Sequence, residues 1–292
     1  MQAETPIRTK IRQRTLKGEA SLSGIGTHTG QKATVRLCPA EPNTGVVFQR
    51  VDLPGRPTIP ATLQSLFDAS RRNTTLGLGN VRIHTVEHLL SAVHAASVDN
   101  LRIEISGEEP PIDDGSARIF TALIEQTGFQ EQDAPRRFGK LSQPVHWSQG
   151  DTHLIALPAP HFRISYTVHY PQSSLIGSQY LSLEIDAESY KNEIAAARTF
   201  ALYEEIAQLK ASGLIKGGSL ENSVVVRGDT VLNEGGLRFP NEMVRHKILD
   251  LIGDFSLMGI PLQAHIIAIR SGHAANVAFA KAMMNHITLE NS

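Results

Sequence analysis

Three chemically active side chains recur at every fourth position in the C-terminal half of the sequence: His246, Asp250 and Asp254. In a helix, a four-residue step rotates the side chain by only about 40°, so the three would form one stripe. A histidine and an aspartate one turn apart can both reach one metal ion, and both are ordinary zinc donors. With 12 histidines, chance alone gives about half an H-x-x-x-D pattern, so the spacing alone favours a surface hydrogen bond.

A second cluster is the segment His84-Thr85-Val86-Glu87-His88. It fits H-x-x-E-H, the inverted zincin pattern, in which two helical histidines bind zinc beside a glutamate base. His84 ends a β-like run and Thr85 has the type of a helix cap, so we expect His84 to lie outside the helix. We favour His88 as a ligand with Glu87 as a base, because adjacent helical residues point about 100° apart. Taken alone, a buried structural histidine is the simpler interpretation of His88.

A third histidine, His273, follows the apolar run 263–269 after Arg270, Ser271 and Gly272. A strand that ends in Ser-Gly predicts that the next side chain lies on a loop at the rim of a sheet. Catalytic groups concentrate on loops held by rigid elements. By itself, a solvent-exposed loop histidine is the simpler interpretation.

The elements that must position these side chains form two series of short strands and helices. β-like runs bounded by turn residues lie at 33–37, 46–49, 81–84, 101–106, 154–157, 162–169, 180–185, 223–227 and 263–269. Helical patterns cover 86–96, 117–126 and 242–258, and a further helical stretch begins near Glu188. In each half, runs of strands precede helices. This order indicates an α+β fold of layered sheets and helices more than a doubly wound sheet.

The segment 130–137, QEQDAPRR, is polar, contains a proline and has no apolar periodicity. We place a domain boundary there, between an N-terminal α+β domain at 1–132 and a C-terminal α+β domain at 133–292. The first domain contains Glu87 and His88. The second contains His246, Asp250 and His273.

Composition limits the class of protein. The 292 residues include 28 Lys plus Arg against 29 Asp plus Glu, a balance that gives no support to nucleic-acid binding. The single cysteine, Cys38, excludes an internal disulfide and a cysteine-rich zinc site, so histidines and carboxylates would have to hold a metal.

The sequence pattern predicts no targeting signal. Residues 1–16 are basic but have no apolar segment behind them, so we expect no signal peptide. The most apolar run, 251–269, contains Asp254 and Pro261. We interpret it as a buried helix, a turn and a buried strand, because a charge at bilayer depth is costly. We therefore expect no transmembrane segment and a cytoplasmic location.

Six motifs resemble, in the same order, those of the UDP-3-O-acyl-N-acetylglucosamine deacetylase family, the zinc amidases of lipid A biosynthesis. They are SGIGTHTG (23–30), TVEHLL (85–90), PIDDGSA (111–117), ARTF (197–200), VRHKILDLIGD (244–254) and SGH (271–273). The resemblance extends from about residue 12 to residue 280. Jointly the motifs are specific, and they outweigh the simpler interpretation of each separate histidine.

The resemblance implies two domains of similar topology, each a β-sheet layered against helices, with the active site between them. It implies one zinc ion per chain, held by His88, His246 and Asp250; Fe(II) would suit the same donors. His84 is set aside, because the family pattern does not require a histidine there. The implied reaction is hydrolysis of the N-acetyl group of UDP-3-O-acyl-N-acetylglucosamine with release of acetate, an early committed step of lipid A biosynthesis.

The implied mechanism gives roles to further residues of the motifs. Water at the zinc attacks the acetyl carbonyl while Glu87 takes its proton. Zinc and the Thr199 hydroxyl stabilise the oxyanion. His273, held protonated by Asp254, gives a proton to the departing amine. Lys247 orients the substrate or supports the oxyanion.

The implied substrate, a small acylated UDP-sugar, needs a cationic contact and an apolar passage. We predict Arg270 at the diphosphate, Phe200 and Lys247 as further substrate-binding residues, and an acyl passage formed by an insert at roughly 201–231. His28 lies in the first motif without a role that we can derive. We expect the protein to be a monomer.

Two other functions stay open. An inverted-zincin-like peptidase would use His84 and His88 and would lose its zinc in the variant His84→Ala. A non-catalytic, two-lobed sugar-nucleotide-binding module would bind UDP whether or not Glu87 is replaced, and would turn nothing over.

Overall fold

The computed structural model describes residues 11–70 and 72–291. Within these residues the strands are β1 (Arg12–Leu16), β2 (Ala20–Ile25), β3 (Lys32–Pro39), β4 (Val46–Arg50), β5 (Thr58–Pro60), β6 (Leu66–Asp68), β7 (Thr75–Leu78), β8 (Val81–Ile83), β9 (Leu101–Ile105), β10 (Phe129–Pro135), β11 (Arg137–Leu141), β12 (Val145–Gln149), β13 (Thr152–Pro158), β14 (Arg163–Tyr170), β15 (Gly177–Glu184), β16 (Phe200–Leu202), β17 (Val224–Arg227), β18 (Thr230–Val231), β19 (Leu262–Ile269) and β20 (Ile287–Asn291). The helices are α1 (Glu87–Ala95), α2 (Arg118–Thr127), α3 (Ala187–Ser189), α4 (Tyr203–Ala211), α5 (Glu242–Ser256) and α6 (His273–Met284), with a 3-10 turn at Leu63–Ser65 and a π turn at Tyr190–Ile194. The signal-peptide expectation falls mainly on residues 1–10, which lie outside the described residues.

The same strand order occurs twice along the chain. In the first half the order is β2-β3-β9-β4-β5, with β9 antiparallel to β3 and parallel to β4. In the second half β12-β13-β19 continue into β14-β15, with β19 antiparallel to β13 and parallel to β14. Helices α1 and α2 precede and follow β9, as α5 and α6 precede and follow β19. The predicted α+β class is confirmed, and the two halves repeat one topology.

Each half also carries a small three-stranded sheet at the equivalent place. The first insert, β6-β7-β8, lies between β5 and α1. The second insert, β16-β17-β18 with α4, lies between β15 and α5. Residues from both inserts line the cavity described below.

Strand β19 and helix α5 form the centre of the second half. The side chains of β19 alternate between buried and partly exposed, the period-two pattern of a strand with one covered face. Helix α5 is buried on its apolar stripe and also on the stripe that carries His246, Asp250 and Asp254. A helix buried on all sides lies between packed layers, and its polar residues therefore need partners or ligands.

Gly253 sets how closely α5 approaches α1. A Cβ at Gly253 would lie 2.2 Å from the carbonyl oxygen of Glu87 and 2.7 Å from its carbonyl carbon. Because glycine has no side chain, α5 can touch the backbone at the start of α1. This contact brings the Glu87-His88 pair beside the face of α5 that carries His246.

Two local predictions are wrong. Thr85 does not cap α1: its φ is 53°, and its hydroxyl accepts a hydrogen bond from Asn73 and donates one to Glu109. His273 does not lie on the loop that was predicted at the rim of the sheet. It is the first residue of α6 and only 7% of its surface is exposed, because Gly272 supplies the extended backbone from which the helix begins at once.

The polar segment 130–137 forms most of β10 and the first residue of β11, so the predicted boundary after residue 132 falls within a strand that pairs with β1. The division into two domains at that position stays a prediction. The run 251–269 is, as predicted, the end of a helix, a turn and a strand. Across the described ranges no helix is both long and apolar enough to span a bilayer. The cytoplasmic location and the monomeric state stay predictions.

Candidate active site

Three buried side chains from two helices converge at the centre of the molecule. His88 lies on α1, and His246 and Asp250 lie one turn apart on α5. One ligand atom of each lies within 4.8 Å of the other two. Oδ1 of Asp250 is 3.3 Å from Nε2 of His246 and 3.9 Å from Nε2 of His88. Among the described residues, no other group of three His, Cys, Asp or Glu side chains meets in this way.

The three residues suit a zinc ion for two reasons: both imidazoles are neutral, and one carboxylate oxygen has no hydrogen-bond partner in the part of the chain that the structure describes. Nδ1 of His246 lies 3.1 Å from the Ala197 carbonyl, which can only accept, so the proton is on Nδ1 and the Nε2 lone pair is left for a metal. Burial and the neighbouring His246 lower the pKa of His88 to about 3, which keeps this imidazole neutral. Oδ1 of Asp250 is buried without a hydrogen-bond partner among the described residues, a costly state that a cation would relieve.

His84 is not part of this cluster. It lies between β8 and α1, and its Nδ1 meets the Thr75 hydroxyl at 3.0 Å. The cluster contains His88 without His84, as we expected from the end of the β-like run.

Glu87 and His273 face each other beside the three candidate metal ligands. Nε2 of His273 lies 3.8 Å from Oε1 of Glu87 and 3.8 Å from Oδ2 of Asp250. Burial raises the pKa of Glu87 to about 8. Burial would lower the pKa of His273, but the carboxylates of Asp254, Asp250 and Glu87 outweigh it and raise this pKa to about 9. Two buried groups with strongly shifted pKa values in one place are typical of acid–base chemistry.

Asp254 holds His273 through a network that also reaches Glu87. Oδ2 of Asp254 lies 2.9 Å from Nδ1 of His273 and accepts a hydrogen bond from Asn276 at 2.8 Å. Oδ1 accepts from the Thr74 hydroxyl at 2.5 Å, while the Thr74 N–H donates to Oε2 of Glu87 at 3.0 Å. Thr74 and Asn276 were missed in the sequence, where neither has a spacing that relates it to the histidines.

Lys247 joins the cluster to the wall of the site. Its Nζ donates to Oδ2 of Asp250 at 2.7 Å and lies 5.6 Å from the centre of the Phe200 ring. Burial disfavours the ammonium, but the Asp250 carboxylate outweighs it and raises the pKa of Lys247. Burial would likewise raise the pKa of Asp250, yet His246 and Lys247 lower it far below its usual range. Both groups therefore stay charged.

The cluster opens into a cavity of about 740 Å³, a volume within the range of small-ligand sites. Thr199 and Phe200 line it. The predicted passage region 201–231 contributes more apolar than polar lining residues. The apolar and aromatic ones are Ala201, Leu202, Tyr203, Ile206, Leu209, Ile215, Leu220 and Val225, and the others are Glu205, Lys210, Gly218, Ser219 and Ser223. Leu214 lines a separate cavity instead, and Val224 and Val226 are buried in the core. Arg270 is not among the lining residues; its guanidinium pairs with Asp151 at 3.2 Å, so its diphosphate role stays a prediction.

The first and third sequence motifs shape the walls of the site. His28 lines the cavity, and burial lowers its pKa. Its N–H and that of Thr29 donate to the carboxylate of Glu109, which is 1% exposed and was missed in the sequence. The Gly115 carbonyl accepts from the Thr199 N–H at 2.8 Å, so the third motif of the first half holds a wall residue of the second.

The α+β fold, together with a buried His/His/Asp cluster and an adjacent glutamate and histidine, defines a candidate metal-dependent hydrolase. Residues 13–285 match the family described as LpxC: UDP-3-O-acyl N-acetylglycosamine deacetylase. The chain belongs to this family, so the resemblance carried by the six motifs is confirmed.

Individual relatives cover almost the whole chain. The UDP-3-O-acyl-N-acetylglucosamine deacetylase of Chlamydia pneumoniae is 49% identical over 278 residues, 95% of this chain and 98% of the relative. The protein of the same name from Chlamydia caviae is 50% identical over 272 residues, 93% of this chain and 96% of the relative. That from Chlamydia trachomatis serovar L2 is 49% identical over 278 residues, 95% of this chain and 96% of the relative.

Proposed function

We propose that the protein is a zinc-dependent deacetylase that hydrolyses the N-acetyl group of UDP-3-O-acyl-N-acetylglucosamine and releases acetate. Family membership supports the deacetylase reaction, and the relatives carry this substrate in their names. The observation that carries the zinc dependence is the buried cluster of His88, His246 and Asp250, with its unsatisfied carboxylate oxygen. Fe(II) would suit the same donors.

A zinc ion held by these three residues would supply Lewis-acid activation of a water molecule and of the amide carbonyl. Glu87 takes the proton of the attacking water. Its Oε2 is fixed by the Thr74 N–H, while its Oε1 faces the site. The positive charge of His273 favours the ionised carboxylate that a base needs, against the burial and the Asp254 and Asp250 carboxylates that raise the pKa of Glu87. A cation held by the cluster would favour the ionised form further.

His273 gives a proton to the departing amine. Its Nδ1 is hydrogen-bonded to Asp254, so the proton to be transferred is the one on Nε2, the atom that faces Glu87 and Asp250. Thr199 on the cavity wall and the ammonium of Lys247 stabilise the oxyanion. Glu87 and His273 are each the first residue of a helix and are buried, so little reorganisation of the base and the acid is needed during the reaction.

The substrate is bound by complementary parts of the cavity. The apolar residues of the second insert contact the 3-O-acyl chain. Phe200, at the start of that insert, and Lys247, whose ammonium lies 5.6 Å from the centre of the Phe200 ring, orient the sugar. Arg270 contacts the diphosphate from the surface beside β19, after release from Asp151.

Replacing a ligand tests the assignment. We expect His246→Ala to lose stoichiometric zinc, measured by elemental analysis, and to lose acetate release from the acylated UDP-sugar. A variant that kept both would contradict the proposal. His84→Ala is the matched control and should keep both; loss of zinc in this control would favour the inverted-zincin peptidase.

A second experiment addresses the non-catalytic alternative. We expect Glu87→Ala to bind zinc and UDP but to lose most acetate release. If the unmodified protein released no acetate with zinc or Fe(II), and UDP binding were the same in Glu87→Ala, a sugar-nucleotide-binding module would replace the enzyme as the best interpretation.

A further inference from the structure

The irregular segment 197–199 contributes two groups to the site, one from each of its end residues. The Ala197 carbonyl accepts the proton on Nδ1 of His246 at 3.1 Å, and Thr199 lines the cavity. The segment lies between a π turn and β16 and belongs to no helix or strand itself. Backbone hydrogen bonds hold its two ends, from the Ala197 N–H to the Ile194 carbonyl at 2.9 Å and from the Thr199 N–H to the Gly115 carbonyl at 2.8 Å. The Arg198 N–H between them donates to a side chain instead.

Arg198, between these two residues, is fixed by a buried fork of hydrogen bonds to Glu242. Nε and Nη2 of Arg198 lie 2.8 Å and 3.1 Å from the two carboxylate oxygens, and the Arg198 N–H donates to Oε1 at 3.0 Å. Nη2 also donates to the Gly236 carbonyl at 2.8 Å. The side chains are 9% and 0% exposed, so the pair is dry and its geometry is tightly constrained.

Glu242 is the first residue of α5, one turn before His246 on the same helix. The segment 197–199 is therefore attached to α5 at two points one turn apart. One point is the ion pair of Arg198 with Glu242, and the other is the hydrogen bond from His246 to Ala197. If the first attachment is lost, the carbonyl that fixes the ring of His246 can move away from it.

We propose that Arg198 and Glu242 are positioning residues that act through Ala197 to keep the proton of His246 on Nδ1 and its Nε2 free for a metal. The inference rests on the proposed function for the identity of His246 as a ligand. Thr199, the residue after Arg198, is held by backbone hydrogen bonds instead: its N–H donates to the Gly115 carbonyl at 2.8 Å and its carbonyl accepts from the Val224 N–H at 2.7 Å.

A positioning role explains the buried ion pair of Arg198 and Glu242 better than a purely stabilising role does. A buried ion pair pays a desolvation penalty that an apolar pair of similar volume avoids, so it is poorly suited to stability alone. It is well suited to fixing one geometry, because a guanidinium and a carboxylate meet in few orientations. Groups that orient a metal-bound histidine typically change metal affinity or activity by about 10- to 100-fold when they are removed.

The test uses Glu242→Gln, which keeps the size of the side chain but removes its charge. In the metal-free protein, long-range ¹H–¹⁵N correlations report which nitrogen of His246 carries the proton. We expect the Nδ1-protonated form to dominate in the unmodified protein and a mixture of both tautomers in the variant. We also expect zinc affinity to fall about 10- to 100-fold, and kcat to fall more than KM rises.

Asp99→Asn is the matched control, because Asp99 pairs with Arg136 at 2.8 Å and both side chains are mostly buried away from the cavity. It should lower stability without changing the His246 tautomer or zinc affinity. Arg198→Lys keeps the charge and supplies the same measurements if Glu242→Gln gives little folded protein.

Unchanged tautomer and zinc affinity in a folded Glu242→Gln or Arg198→Lys variant would overturn the positioning role. The failure of the proposed function has a different signature: no stoichiometric zinc and no acetate release in the unmodified protein. In that case the tautomer measurement still decides whether the ion pair orients His246.

Discussion

Replacing Gly253 by alanine sets two well-defined effects against each other. Alanine is a better helix former than glycine by about 1 kcal/mol in a helix interior, so local propensity predicts that Gly253→Ala stabilises the protein. The packing predicts the opposite. The new Cβ would lie 2.2 Å from the Glu87 carbonyl oxygen, 2.7 Å from its carbon and 2.8 Å from its Cα, and none of these backbone atoms can rotate away.

The size of the displacement follows from these distances. Ordinary contact begins near 3.4 Å, so α1 and α5 have to separate by about 1 Å at this point. Overpacking of this kind costs about 1–3 kcal/mol, which equals or exceeds the gain in helix propensity of about 1 kcal/mol. Since His88 lies on α1 and the other two ligands lie on α5, the same movement opens the cluster well beyond the roughly 0.2 Å that metal–ligand distances tolerate.

We therefore expect Gly253→Ala to lower the free energy of unfolding by up to about 2 kcal/mol in urea and to weaken zinc binding by about 100-fold. Zinc affinity is measured by competition with a chromophoric chelator. Gly18→Ala is the control, because no atom lies within 4 Å of its added Cβ, and it should leave zinc affinity unchanged. If Gly253→Ala were more stable than the unmodified protein and bound zinc equally well, the close approach of the two helices would not be what assembles the site.

Two further predictions concern charge. Asp254→Asn removes the partner that keeps His273 protonated, so we expect kcat to fall by about 10²–10⁴-fold while zinc stays bound; an enzyme with unchanged kcat would exclude the proposed acid. His94, away from the ligands, has its pKa lowered to about 4 from 6.5 by burial and by Arg136. Between pH 6.5 and 4, His94 is therefore protonated in the unfolded chain but stays neutral in the folded protein. The free energy of unfolding falls as the pH falls through this window. Urea unfolding at pH 7 and at pH 5 measures this loss. Between these two pH values, we expect the free energy of unfolding to fall by about 1–2 kcal/mol less in His94→Gln than in the unmodified protein. An equal fall in both proteins would contradict the lowered pKa of His94.

The elements with a strong local pattern could be predicted from the sequence. Helix α5 was expected at 242–258 and is observed at Glu242–Ser256, because its apolar and polar stripes both repeat at helical spacing. The helix that begins at Glu87 and the strand that ends at Ile269 were also located to within about two residues. These predictions succeed because the buried face of each element repeats as a periodic pattern of apolar residues in the local sequence.

The sequence positions of His88, His246 and Asp250 could not show that these three candidate ligands meet in the folded protein. Their meeting depends on the packing of α1 against α5, which is set by Gly253, and glycine inside a helical pattern ordinarily only weakens a helix prediction. In the sequence, only the resemblance to the family indicated that His88 and His246 belong to one metal site.

Contacts between distant segments explain the other differences. The Thr85 hydroxyl bonds to Asn73 and Glu109 instead of capping α1, because the chain there turns through a positive φ. Thr74 was missed for a similar reason. Its hydroxyl and N–H meet carboxylates that lie 180 and 13 residues away, so no local pattern marks it.

The distribution of the three ligands has a thermodynamic consequence. One comes from the first half and two from the second, so a bound ion would be a cross-link that closes a loop of roughly half the chain. Closing so long a loop restricts the unfolded chain strongly, as a long-range disulfide does. Metal availability would then set the cooperativity of unfolding: a loaded protein would unfold as one unit, with a midpoint that rises with the free metal concentration.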